Sequence, residues 1–187
     1  MQQTAADDLA NLLSEPQYWM NKAEALRASA GAVWYCRQGI PDSASFEGLG
    51  TKPDVNMSGD TWQVYRMLCG MSLELAYKAS LVAIAKQIKP THDLVWLAEQ
   101  VCFKLSREER GLLALLSECV IWEGRYPCPK DGQSLEYFVY LHYENLYRKV
   151  RTGNITILKP VEPDPLDWDG YNKLWNSAVL AYEWHRS

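Results

Sequence analysis

An all-α fold, most simply an up-down bundle of four or five helices with extra helices at its ends, follows from three observations. The stretch from Trp62 to Gln87 has no proline and only one glycine, and apolar side chains cover most of its circumference. That is the pattern of a helix packed on several sides. Cap and stop signals cut the rest of the chain into helical lengths. Within most of those lengths apolar residues recur three and four apart.

The elements follow in order. Residues 4–13 form a short helix or an arm. Ser14-Glu15-Pro16-Gln17 starts the next helix, with Ser14 as cap, Pro16 in the first turn and Gln17 three after the cap. Trp19, Ala23, Leu26, Ala30, Val33 and Trp34 continue it to about Arg37, and Gly39-Ile40-Pro41 stops it. From Gly39 to Met57 runs a loop of about twenty residues, long enough to be functional or disordered, and disorder is the expectation. Asp60-Thr61-Trp62-Gln63 caps the central helix, and Lys89-Pro90 ends it.

Thr91 caps the following helix, with Asp93 complementing its N-terminus and Leu94, Leu97, Ala98 and Val101 as its buried stripe. Ser106-Arg107-Glu108-Glu109 is the clearest capping box in the chain, and Gly124 is the stop of the leucine-rich helix behind it. Pro127 and Pro129 hold the segment from Arg125 extended. Asp131 or Ser134 starts a helix carrying Leu135, Phe138, Val139, His142 and Leu146. Arg148, Lys149 and Arg151 are read as cations at its C-terminal end, where they suit the helix dipole. Residues 154–161 are extended and strand-like. Prolines 160, 163 and 165 mark a linker to a last helix, Asp169 to His185, with Tyr171, Leu174, Trp175, Ala178 and Tyr182 on one face.

Composition bounds the function. A chain of 187 residues supports one well-buried core and not two, so 1–187 is read as a single helical domain. Apolar content of 48% and charged content of 22% are ordinary for a soluble protein. A net charge of −4 argues against a large nucleic-acid footprint but leaves room for a local basic patch. The start lacks a basic and then apolar leader, and no run reaches the length of a membrane span, so a cytoplasmic protein without a membrane is expected. Five cysteines without a C-x-x-C spacing suggest free thiols rather than disulfides or zinc, and neither metal nor cofactor is expected.

One polar row crosses the central helix: Arg66, Gly70, Glu74 and Lys78, spaced by four. Residues four apart share a helix face, so Glu74 and Lys78 can pair. They, with His92, Asp93 and Arg125, are the candidate ligand-binding residues. Glu74, Lys78, His92 and Arg125 are expected to meet in space, Arg125 forking onto the Glu74 carboxylate. The plain alternatives are a helix-surface ion pair and a solvated helix start.

GMSLELAYKASLVA, then THDLVWLAEQ, then LSREERGLLALLSECVIWEGRYPCP resembles the HEPN superfamily, in its prokaryotic stand-alone branch. The resemblance covers about residues 58 to 130. It implies a HEPN-like core over about 14–150, followed by a linker and helix over 151–187. It also implies a frequent homodimer and adds Tyr126, in Gly-Arg-Tyr-Pro, to the candidate residues. Many family members cleave RNA or act in toxin–antitoxin or phage-defence systems, and others bind nucleotides or a partner such as a nucleotidyltransferase. The catalytic members carry an Arg with a His four to six residues later. No Arg of this chain has one. The expectation is therefore a non-catalytic RNA- or nucleotide-associated module. The alternatives are a ribonuclease with an atypical site, using His92, Arg125 and Glu74, and a dimeric interaction module without nucleic acid.

Overall fold

A computed structural model describes residues 4–39, 50, 57–101 and 104–186. Its helices are α1 (Ala5–Ser14), α2 (Pro16–Gly39), α3 (Met57–Asp60), α4 (Trp62–Ala83), α5 (Leu94–Val101), α6 (Arg107–Glu118), α7 (Gly132–Leu146) and α8 (Trp168–Arg186). A π-helical turn, Cys119–Glu123, continues α6, and strands β1 (Tyr147–Thr152) and β2 (Ile155–Pro160) form an antiparallel hairpin after α7. The protein is mostly helical, and the expected loop between α2 and α3 lies almost wholly outside the described residues.

The central helix of the sequence, α4, is central in the structure. It packs against α2, α5, α6, the π turn and α8. Tyr65, Cys69, Leu73, Ala76, Tyr77 and Leu81 are buried along it. Ring contacts of Trp34 with Trp62 and Tyr65 place the end of α2 beside the start of α4, so the two run antiparallel. α8 returns along α2, with Arg27 Nη2 donating to Asn172 Oδ1 at 2.8 Å and Tyr182 Oη to Gln17 Oε1 at 3.3 Å. Its Tyr171 hydroxyl meets Ser72 Oγ at 2.7 Å in the core. Gly70 lets α4 and α6 cross closely: a Cβ there would sit 2.6 Å from Val120 Cγ2 and 3.0 Å from the Leu116 carbonyl oxygen.

Several boundaries differ from the sequence reading, each for a local reason. Ser14 is the last residue of α1, and the Glu15 carboxylate accepts from Gln17 N at 3.2 Å at the start of α2. Thr61 makes no side-chain cap, because α3 leads into α4 through helical backbone. At α5 the cap is Asp93, whose Oδ1 accepts from Trp96 N at 2.9 Å, while Thr91 supports Asp93 N at 3.1 Å.

The end of α4 moves from Gln87 to Ala83. Ala85 turns left-handed, φ 53°, and Lys86 N donates to Leu81 O while Ala85 N donates to Val82 O, both at 2.9 Å. This is the two-bond C-terminal stop usually built on glycine. The capping box at Ser106 and the Gly124 stop are as read from the sequence, and of the two starts it left open for α7, Asp131 is the cap, its Oδ1 accepting from Ser134 N. The largest difference is the basic cluster: α7 ends at Leu146, and Arg148, Lys149 and Arg151 lie in β1.

Candidate functional site

The polar row of α4 divides into two groups, both buried. In the upper group Lys78 Nζ lies 2.5 Å from Glu74 Oε1, and His92 Nδ1 lies 2.8 Å from Glu74 Oε2. The side chains of Glu74 and Lys78 are 8% and 10% exposed, that of His92 51%. A carboxylate only accepts, so His92 Nδ1 is the donor in this contact. The backbone holds this ring in place: His92 immediately precedes the Asp93 cap, and Leu94 N donates to Ser117 Oγ of α6 at 2.9 Å. A surface imidazole oriented by a buried carboxylate can exchange a proton at its second ring nitrogen.

Three of the six candidate residues therefore meet, and Asp93 adjoins them as the cap of α5. Arg125 and Tyr126 do not. Arg125 is exposed, its Nη2 donates to the Ile121 carbonyl oxygen, and its guanidinium lies 5.4 Å from the Tyr126 ring. The cause is the antiparallel run of α6 and the π turn along α4. Gly124 packs on Met67, two helical turns and roughly 10 Å below Glu74. The extended segment thus begins at the wrong level of α4 to turn in toward the carboxylate.

The sequence reading does not single out the lower group as a site. Arg66, 3% exposed, stacks 4.5 Å over Trp62 and lies 3.8 Å from Asp164, which follows β2. Glu123, 8% exposed, is delivered inward by the π turn. Arg66 Nε, Glu123 Oε2 and His142 Nδ1 are buried atoms without a hydrogen-bond partner. Burial pushes the Glu123 carboxyl up, while burial and then the Arg66 charge push the His142 ring down. The signal that could have found this group is the membership of Arg66 in the spaced-by-four row. The π turn has no signature in the sequence, and without it Glu123 reads as a solvated helix end.

A third feature is the β1–β2 hairpin. Arg148, Lys149, Arg151 and Lys159 are all exposed, and none pairs with a carboxylate among the described residues. Arg148 stands directly opposite Lys159 in the register. Like charges placed opposite each other destabilise a strand pair. Residues 147–160 contain no Asp or Glu, so the hairpin carries +4, and the chain's −4 less this +4 leaves −8 on the remainder.

Among the described residues no cluster of His, Cys, Asp or Glu is arranged to hold a metal ion, and no helix is long and apolar enough to cross a membrane. No family model, curated protein or solved structure matches the chain.

Proposed function

We propose that this chain is a non-catalytic RNA-associated helical module that docks the nucleic acid through its basic hairpin. The observation that carries the reading is the separation of charge. Four cations without a carboxylate partner among the described residues project from one hairpin of an otherwise acidic chain, and two of them face each other at a cost to local stability. A phosphate backbone is the partner that this pattern complements, with affinity supplied by release of counterions. The HEPN resemblance points the same way, toward RNA- or nucleotide-linked proteins of defence and toxin–antitoxin type. The missing Arg–His spacing argues against the family's metal-independent cleavage. The test is fluorescence anisotropy with a labelled RNA oligonucleotide across a salt series, with gel analysis of the same samples in the presence of a chelator. Salt-dependent binding with the RNA left intact supports the reading, and no binding at low salt overturns it.

A second reading is favoured by one observation, the Glu74–His92 contact at 2.8 Å. An imidazole held by a buried carboxylate is the geometry of a general base. Chelator-resistant RNA cleavage that disappears in a folded His92→Ala variant would make this an atypical ribonuclease instead.

A further inference from the structure

The joint between α7 and the hairpin carries more than charge. β1 alternates, so Tyr147, Lys149 and Arg151 share one face of the ribbon. Leu158 stands across from Lys149 and Thr156 across from Arg151 on that same face. Tyr143, in the last turn of α7, extends the row: its ring centroid lies 5.1 Å from that of Tyr147. Tyr143 is 46% exposed, and Leu158 and Lys149 are exposed as well. The row therefore runs aromatic, aromatic, cation, cation, with an apolar side chain beside it on the second strand.

Several details bear on what this row can hold. Tyr147 is braced from beneath, with its ring 5.6 Å from His142, and His142 in turn packs 6.0 Å from Phe138. Tyr147 is thus seated against the core rather than carried on a loop. Arg151 Nε donates to Gly153 O at 3.2 Å, which orients the guanidinium and leaves its terminal nitrogens to meet a partner. Successive side chains on one strand face recur every ~6.6 Å. That is comparable with the spacing of phosphates along an extended single strand. A duplex hides its bases within the stack, so exposed rings gain nothing from it, whereas an unstacked strand offers a π-face at each base.

From this we infer that the row Tyr143, Tyr147, Lys149, Arg151 is the path of single-stranded RNA, with a base stacked on Tyr143 and phosphates held by Lys149 and Arg151. The inference rests on the RNA-associated reading above and adds to it the strand state of the RNA and the residues that read it. Sequence discrimination is not expected, because neither stacking nor phosphate contact distinguishes bases strongly.

The experiment compares the whole chain and its Tyr143→Ala, Tyr143→Phe and Lys149→Gln/Arg151→Gln variants. Each is titrated against a fluorescein-labelled 12-nucleotide single-stranded RNA and against the same RNA annealed to its complement. Tyr143 is outside the core, so its variants are expected to fold, and circular dichroism checks this. Tyr143→Ala should weaken single-strand binding by about fivefold or more, Tyr143→Phe should restore it, and binding to the duplex should be weaker and indifferent to both. The double cation variant should lower the salt slope by about 0.7 for each phosphate no longer neutralised. RNA binding that is equally strong for the duplex, or unchanged in Tyr143→Ala, overturns this inference and leaves the RNA-associated reading standing. Absence of any RNA binding overturns both.

Discussion

Replacing Glu74 by alanine should cost the fold about 3–4 kcal/mol, because it strands a buried ammonium. Lys78 Nζ has Glu74 Oε1 at 2.5 Å, and the two side chains are 10% and 8% exposed, so solvent screening reduces the cost little. Breaking a buried pair by removing one partner costs about 3–5 kcal/mol. His92 adds little to that figure, since its ring is half exposed and water can replace the carboxylate. The expected value therefore lies in the lower half of the range. Glu74→Gln keeps the shape and one acceptor oxygen, and should cost about 1–2 kcal/mol. Glu74→Leu combined with Lys78→Met removes both charges, and the double variant should be more stable than either single one. Urea denaturation followed by circular dichroism measures these proteins, with m unchanged as the check on two-state behaviour. A cost below about 1 kcal/mol for Glu74→Ala would show that Lys78 reaches water readily and that the pair is a surface contact.

Three further outcomes follow from the packing. Burial raises the Glu123 carboxyl above its ordinary value, so the folded state holds the proton more tightly than the unfolded chain does. Stability then falls as pH rises from about 4.3 through the folded value, and Glu123→Gln should stabilise the protein at pH 7 but not at pH 3.5, measured by thermal melts at both. Ala85→Gly relieves the left-handed backbone at the end of α4 and should raise stability by about 0.5–1 kcal/mol in urea, whereas a decrease would mean the stop is built differently. Gly70→Ala inserts a methyl against Val120 and the Leu116 carbonyl and should cost about 1–3 kcal/mol, checked by the same denaturation.

Much of the fold is legible in the sequence because its signals are local. The apolar circumference of 62–87 identifies the central helix, and Ser106 with Glu109 marks the start of α6 to the residue. What misleads is also local. The stop of α4 uses alanine where glycine is the usual sign, so the sequence pattern runs four residues past the true end of the helix. β1 is hidden because tyrosine, arginine and lysine at 147–149 fit a helix end as well as a strand. Only its pairing with residues 155–160, across a turn at Gly153 with φ 62°, decides the matter.

The candidate site shows the same division. Glu74, Lys78 and His92 can be joined from a spacing of four and a short connection, and the structure joins them. Arg125 cannot be placed from the sequence, because the level at which it meets α4 depends on how far α6 and its π turn run down the central helix. Glu123 and His142 reach Arg66 only through tertiary packing, which no sequence interval records.

The most direct test of RNA docking at the hairpin is the salt dependence of RNA binding in the chain with Arg148, Lys149, Arg151 and Lys159 all changed to glutamine. Log affinity for a single-stranded RNA falls linearly with log salt, with a slope of about −0.7 for each phosphate neutralised. The quadruple variant is expected to fold, to bind at least about tenfold more weakly at low salt, and to have a slope shallower by about 1.4–2.8, since two to four phosphates go without their cation. A folded variant that binds RNA with unaltered affinity and slope would contradict that docking, and would move the nucleic-acid contact away from the hairpin.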